Sequence, residues 1–371
     1  MNLLVNLGPL KIGGGQNVGI NFLNNLPEKK YYNNLFLIVA KNSQIESIAK
    51  KRKLSFYSVS NNPILRVFTE LFILPSIIKK NKVNIIYTLF GFGFFPKSIP
   101  QVIGSADSNI YYPEIDFWNQ HKNLNKFKKL VIDKIRIFGI KRATAVIFEN
   151  KSMLKRGSKL YNISKSIYIP PSISDYEITT NETNSSNSIN LLFLCGWQKN
   201  KNYQIIPNLL KQSKVLNVDM HVFFTAKEDF SKEHKEFISN IRKENVEKNI
   251  TMTGQINKEQ LSNLYSKINY VMLLSLLESF SNNIIESWFF KKPLVISDLE
   301  WSKSICDNAA IYVDRNDVND ILNKIIVNAK NKNNLNLSIK NGSLKMKSLP
   351  TIKEKVKLEL KYIKNIYENT N

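Results

Sequence analysis

Short apolar runs alternate along this chain with longer stretches in which apolar positions recur every three to four residues. Asn2–Leu7, Asn34–Ala40, Val83–Leu89, Gln101–Ile103, Ala145–Glu149 and Ser166–Ile169 read as buried strands. Between them, Gln16–Leu26, Ile45–Lys53 and Ile64–Lys80 carry helical spacing. The pattern restarts at Asn190–Cys195 and continues through His221–Thr225, Ile250–Thr253, Tyr270–Leu274, Pro293–Ser297 and Ala310–Val313. Strands alternating with helices of this length predict parallel sheets covered on both faces. Tyr176–Ser188, between the two series, has no apolar periodicity and reads as a linker. The expected fold class is α/β, with two Rossmann-like doubly wound domains over residues 1–175 and 176–350. Residues 351–371 are expected to form a helix that packs back on the first domain. Two such domains facing one another leave a cleft at the carboxyl ends of their strands, where ligands of this architecture bind. There is no short-period internal repeat.

The length of 371 residues suits two domains, and the 43% hydrophobic content is enough for two cores. No apolar run approaches the ~18 residues of a spanning helix; the richest, Val67–Ile78, is broken by Thr69, Glu70, Pro75 and Ser76. The opening MNLLVNLGPL has neither a basic lead nor a small-residue cleavage site, which disfavours secretion. Two cysteines, Cys195 and Cys306, make neither a disulfide framework nor a zinc cluster and fit a reducing cytoplasm. Charge changes the picture more. Residues 1–175 hold 26 basic and 9 acidic side chains, whereas 176–371 hold 27 and 21. An AT-rich coding bias toward Lys, Asn and Ile accounts for part of the +23 total, but not for this asymmetry. A basic half beside a nearly balanced one implies a polyanionic partner on one side, either nucleic acid or an anionic membrane.

Gly13-Gly14-Gly15 lie between the first strand and the helix expected near Gln16. Glycines there let a ligand approach backbone N–H groups at a positive helix end, or simply make a tight turn. They match neither the dinucleotide fingerprint nor a P-loop. Leu276–Glu300 is richer: the strand Tyr270–Leu274 runs into Glu278, then Ser-Phe-Ser-Asn-Asn, then a helix carrying Glu286. Ser279, Ser281, Asn282 and Asn283 occupy the expected helix cap, where free N–H groups and the helix dipole attract a diphosphate. The flanking carboxylates suit bidentate hydrogen bonds from vicinal sugar hydroxyls; the alternative is two solvated acids beside an ordinary cap. No Asp-x-Asp follows an apolar strand, and His121, His221 and His234 lack metal-ligand spacing. The histidines read as surface or packing residues, and no metal is expected.

Glu278-x7-Glu286 after a strand, followed by Pro293–Asp298, resembles the donor site of retaining glycosyltransferase family 4, a GT-B fold group known as glycosyl transferases group 1. Asp307–Asp314 is similar to the segment closing that donor domain, and Cys195–Asn202 to the family's strand-glycine-loop-Lys-Asn element. Thr253-Gly254-Gln255 and Ile169-Pro170-Pro171 resemble two further family turns, and the register spans roughly residues 190–315. The resemblance implies that Glu286 holds the nucleotide ribose and Glu278 the hydroxyls of the transferred sugar. It implies that Lys201 neutralises the donor diphosphate with the Ser281–Asn283 backbone, and that Gly196, Thr253, Gly254 and Lys199 complete the donor site. The first domain would then face the acceptor and the second would bind the nucleotide-diphosphate sugar. Two positions depart from the family: Trp197 stands where its diphosphate arginine is usual, and Ser281 replaces its second loop glycine. Lys199 is the nearest substitute for the arginine, without its fork. Transfer needs the leaving diphosphate stabilised, and fixed cations and amides are expected to do this with no metal or other cofactor.

In the first domain, Asp107 follows the strand Gln101–Ile103 and either orients an acceptor hydroxyl or forms a turn with Asn109. Lys122–Arg142 has apolar Phe127, Leu130, Val131, Ile135 and Phe138 near helical spacing. Its basic residues include Lys126, Lys128, Lys129, Lys134 and Arg136, a pattern that suits a helix lying on anionic lipid, or an ordinary basic-faced helix. Pro63–Lys82, ending in Lys79, Lys80 and Lys82, is a second such stretch that reads first as core packing. The sequence thus points to a cytoplasmic enzyme, peripheral on the inner membrane face. Its expected acceptor is a glycan or a polyprenyl-diphosphate-linked lipid of surface polysaccharide synthesis. The alternatives are a nucleotide-sugar 2-epimerase of the same fold and a basic nucleic-acid-binding protein. No recognition module supports the latter, and Phe92, Phe94 and Phe95 read as strand-end packing.

Overall fold

The structure, a computed structural model, describes residues 1–371 except 12, 28–29, 63–64, 66–67, 92–95, 120–122, 174–175, 178–187 and 371, and except the side chains of 70, 71, 123 and 258. Pro63, Ile64, Val67, Phe92, Phe94, Phe95, His121, Lys122 and most of the expected linker lie outside the described residues. The chain divides into two compact units, Met1–Ile173 with Pro350–Asn371, and Ser174–Leu349.

The first unit contains strands β1 (Asn2–Asn6), β2 (Asn34–Ala40), β3 (Ser55–Val59), β4 (Ile85–Thr88), β5 (Gln101–Ser105), β6 (Ala145–Phe148) and β7 (Ser166–Tyr168). They form one sheet in the order β3-β2-β1-β4-β5-β6-β7, parallel throughout. Helices α1 (Gly13–Asn24), α2 (Gln44–Lys51), α3 (Leu74–Lys80), α4 (Asn123–Arg142) and α5 (Lys151–Tyr161) accompany it. Leu3, Val5 and Leu7 pack with Phe22 and Leu23 of α1, whereas Leu4 joins a separate cluster with Ile38, Val59, Leu74 and Ile78. Both faces are therefore dry, which is why these strands read as unbroken apolar runs.

The second unit repeats the plan with β8 (Ile189–Phe193), β9 (Met220–Phe224), β10 (Ile250–Met252), β11 (Tyr270–Leu273), β12 (Leu294–Ser297) and β13 (Ile311–Val313). Their order is β10-β9-β8-β11-β12-β13, again all parallel. Its helices are α6 (Ile206–Val215), α7 (Lys232–Lys243), α8 (Lys258–Lys267), α9 (Asn282–Phe289), α10 (Glu300–Cys306), α11 (Val318–Lys330) and α12 (Lys332–Lys347). The last helix, α13 (Ile352–Glu368), belongs to the first unit. Its Val356, Leu360, Ile363 and Ile366, spaced along one face, enter the core around β1 and β4.

Three expectations need correction. Ser55–Val59 is a strand that the apolar pattern does not announce, because it is half-buried at the sheet edge and its serines interrupt the run. The glycine triplet does not precede its helix but forms the first turn of α1, with Gly13 at φ +66°. The stretch expected to continue as one helix to Lys80 contains a π-helical turn, Thr69–Ile73, before α3, whose first turn holds Pro75. Within it Leu65, Phe68 and Phe72 are 55%, 53% and 64% exposed, whereas Leu74 and Ile78, with Ile77 beside them, pack into the core.

Candidate functional site

In a doubly wound sheet the loops leaving adjacent strands diverge where the strand order reverses, and that crevice receives ligands. In the second unit the reversal falls between β8 and β11. The loop after β8 carries Gly196, Lys199 and Lys201; the loop after β11 carries Glu278 and leads into α9.

These two loops are stitched together. Lys201 Nζ lies 2.5 Å from Glu278 Oε1, and both side chains are largely buried. Leu276 N–H donates to the Asn200 carbonyl at 2.7 Å, and the Asn200 amide reaches the Leu277 carbonyl at 3.4 Å. Asn283, in the first turn of α9, donates from Nδ2 to the Leu194 carbonyl at 2.9 Å, fixing the helix start to the end of β8. Ser281 occupies the N-cap position in extended backbone, yet its side chain makes no capping bond. The first N–H groups of α9 therefore lack the side-chain acceptor expected of a serine cap, and Asn282 beside them is exposed. Lys199 shares the 3₁₀ turn of Lys201 and is half-buried, and a Cβ on Gly196 would first meet the Gln198 side chain.

Glu286 is one helical turn past Asn282 and only 7% exposed. It accepts from Tyr265 and Tyr176, each at 3.3 Å. The Tyr265 ring stacks on Phe290 at 4.3 Å, and burial, reinforced by the Glu286 charge, raises its phenol well above the ordinary range. The phenol thus stays protonated and donates. The apolar spacing gives no sign of either tyrosine.

Trp197 resolves its own departure from the family pattern. Its indole packs edge-on against Tyr203 at 5.3 Å, Phe224 at 5.2 Å and Phe237 at 5.6 Å, with His234 alongside. Its N–H donates to the Lys227 carbonyl at 2.7 Å. It is a packing residue committed to the aromatic cluster. Arg315, which the motifs did not flag, stands just past β13. It donates from Nε to the Leu274 carbonyl at 2.9 Å and from NH2 to the Asn200 carbonyl at 3.3 Å. Its position in a loop after a strand was the one available signal. Burial lowers its guanidinium to about 10, so it is charged at neutral pH. Cys195, pushed up to about 12 chiefly by burial, is an uncharged thiol.

Thr253 and Gly254 stand apart from this pair by two strands, at the carboxyl end of edge strand β10. Thr253 N–H donates to the Phe224 carbonyl at 2.9 Å, and Gly254 adopts φ +67° with open space around its Cα. Of the histidines, His221 bonds Thr251 at 2.8 Å and His234 lies under Trp197. Among the described residues no group of three or more His, Cys, Asp or Glu is arranged as a metal site.

In the first unit Gly13 and Gly14 are exposed at the start of α1, near the reversal between β1 and β4, and a Cβ on either would touch nothing. Asp107 follows β5 and pairs with Arg136 of α4 at 3.1 Å, while Arg136 also holds Asp133 at 3.0 Å. Asp133 further accepts from Asn109 at 2.6 Å and from the Trp118 indole at 2.5 Å. Burial raises the Asp107 carboxyl, and the Arg136 charge opposes it. Arg136 thus belongs to the inner face of α4, which corrects its reading as a surface cation. Lys126 pairs with Asp116 at 2.5 Å and Lys129 lies over Trp118 at 5.0 Å, whereas Lys128 and Lys134 are exposed. Leu124, Phe127, Leu130, Val131 and Phe138 are exposed on α4, Phe127 by 64%; Ile135 is half-buried. Among the described residues no helix is long and apolar enough to cross a membrane.

Residues 191–345 match the family model of glycosyl transferases group 1. The whole chain superposes on the sucrose-phosphate synthase of Thermosynechococcus elongatus with a TM-score of 0.74 at 12% identity, covering 100% of both chains. A glycosyltransferase from Rickettsia africae gives 0.73 at 16% identity, covering 99% of each chain. Anabaena HepE in complex with UDP gives 0.70 at 13% identity, covering 98% of this chain and 100% of that one. Comparison with curated protein sequences yields no match. The fold is GT-B, and the resemblance drawn from the motifs holds at the level of glycosyl transferases group 1.

Proposed function

We propose that the chain is a retaining glycosyltransferase that moves a sugar from a nucleotide-diphosphate donor to a glycan or polyprenyl-diphosphate-linked acceptor. The observation that carries this reading is the Lys201–Glu278 pair at the strand-order reversal, with α9 beginning four residues after Glu278. The group 1 match over 191–345 supports it, as do the complexes of the similar HepE with UDP and UDP-glucose.

In this reading the second unit binds the donor. The diphosphate competes with Glu278 for the Lys201 ammonium and also takes the N–H groups at Ser281–Asn283. Glu278, released, accepts from the sugar hydroxyls, and Glu286 exchanges a tyrosine hydroxyl for the ribose. Charge developing on the leaving diphosphate meets a fixed cation and amide dipoles, so the reaction needs no resident metal. The anomeric carbon–oxygen bond to diphosphate breaks as the acceptor oxygen attacks from the same face. The acceptor proton passes to the departing phosphate oxygen. Gly13–Gly15 and Asp107 belong to the acceptor side, with Asp107 held by Arg136 rather than free to relay a proton unaided.

The exposed apolar residues of α4, with Lys128 and Lys134 beside them, support peripheral attachment to the anionic inner face of the membrane during surface polysaccharide synthesis. The test is transfer from nucleotide-diphosphate sugars to lipid-linked and glycan acceptors. Glu286→Ala should abolish it while the circular dichroism spectrum stays native; full activity would remove the assigned donor site. Conversion of the donor to its 2-epimer without acceptor would overturn the transferase reading.

A further inference from the structure

We infer that Arg315 is the positioning residue of the donor site: it fixes the turn bearing Lys201 against the end of β11, so that the ammonium stands ready for a diphosphate. The inference rests on the donor-site reading above.

The turn does not hold its own shape. Lys199–Lys201 and Tyr203–Ile205 are single 3₁₀ turns joined by Asn202 in the left-handed region at φ +59°. Such short turns have poor internal hydrogen bonding, and their place depends on tertiary partners. Arg315 supplies two of these at once. Its Nε and NH2 groups grip the Leu274 carbonyl at the end of β11 and the Asn200 carbonyl next to Lys201. Its own carbonyl accepts from the Asn202 amide at 2.5 Å. The Asn200 carbonyl therefore serves both Arg315 and the Leu276 N–H, which commits both lone pairs of that oxygen.

The guanidinium fork is what makes this possible. Two donors in one rigid plane span two carbonyls on different loops; an ammonium offers a point charge on a flexible stem. Arg315 is half-buried and, among the described residues, no carboxylate lies within ion-pair distance of it. A desolvated cation partnered by backbone oxygens is costly to keep for packing alone. Its partners lie on both sides of the β8–β11 reversal, where Lys201 meets Glu278.

The experiment uses the full chain with Arg315→Met, Arg315→Lys and Lys201→Ala, and the Arg315→Met/Lys201→Ala double variant. Hydrogen exchange is followed over residues 194–202 and 274–280. Calorimetry compares the tightest of UDP, GDP, ADP, CDP and dTDP with its parent nucleoside. Arg315→Met should speed exchange of these two segments about tenfold or more and weaken diphosphate binding about tenfold, with nucleoside binding unchanged. In the Lys201→Ala background it should cost less than about twofold, and Arg315→Lys should recover little of the loss. If Arg315→Met unfolds the unit, Asn202→Gly keeps the left-handed backbone, removes one bond of the cluster, and should show the same pattern in milder form.

Unchanged exchange in the two segments, a parallel fall in nucleoside affinity, or full additivity with Lys201→Ala would overturn the positioning role. Failure of the wild type to bind any nucleoside diphosphate would instead strike the donor-site reading. The exchange measurement would still decide whether Arg315 fixes the turn.

Discussion

Lys201 and Glu278 are 77 residues apart in the chain and 2.5 Å apart at their charged ends. Parallel β8 and β11 are neighbours in the sheet, and each gives its following loop one member of the pair. An ion pair this sheltered is costly to break on one side, because the remaining charge loses its partner. A ligand that satisfies both charges, anion on one and hydroxyls on the other, removes that penalty.

Glu278→Gln should therefore lower transfer by about a hundredfold or more without weakening diphosphate binding, since the sugar-facing acceptor is lost while Lys201 loses only its competing carboxylate. Lys201→Ala should weaken binding of the diphosphate itself by about tenfold or more. Steady-state kinetics and calorimetry on the two variants separate these effects. Equal losses of binding in both would contradict the division of roles.

Trp197→Ala should destabilise the second unit by about 2–4 kcal/mol, because the indole braces Tyr203, Phe224 and Phe237. Trp197→Arg, which introduces the residue usual in the family that this segment resembles, should destabilise too and should not tighten diphosphate binding. Chemical denaturation and titration of the same preparations check both. A tighter-binding, stable Trp197→Arg would mean that this position faces the ligand.

Much of this was legible beforehand. The strands buried on both faces, such as Asn34–Ala40 and Ala145–Phe148, announced themselves as apolar runs, and motif residues following them fell at strand ends as doubly wound topology requires. Ser55–Val59 was not legible, because an edge strand needs only one partly covered face. Arg315, Tyr265 and Tyr176 were hidden for a different reason. Their partners, Asn200 and Glu286, lie 115, 21 and 110 residues away, and no local pattern encodes such pairings. The same holds for Arg136, which looked like one cation among several until Asp107 and Asp133 closed on it.

The outer face of α4 makes a separate prediction. Phe127→Asp with Val131→Asp should abolish sedimentation with phosphatidylglycerol vesicles at an unchanged melting temperature, since both side chains are exposed. Lys128→Glu with Lys134→Glu should weaken the same binding by at least about fivefold per residue, more at low salt. Binding that persists in the aspartate variant would move the membrane contact elsewhere.

A pH dependence follows from α13. Lys355 pairs with Glu149 and lies 3.8 Å from Glu359. Burial pushes the Glu359 carboxyl from 4.5 up to about 7, so the folded chain retains a proton that the unfolded chain has released. This contribution is fully present below about 4.5 and is lost as pH rises through about 7. Glu359→Gln should flatten the fall in thermal stability across that window. An identical slope in variant and wild type would contradict the assignment.

The most direct test is calorimetric titration of the wild type and of Lys201→Ala with nucleoside diphosphates and their sugars, each with and without EDTA. We expect one nucleotide series to bind the wild type with micromolar affinity, unaffected by chelator, and to lose about tenfold or more in the variant. Chelator-abolished binding, or equal affinity in both proteins, would contradict a diphosphate held by the Lys201 ammonium and the start of α9.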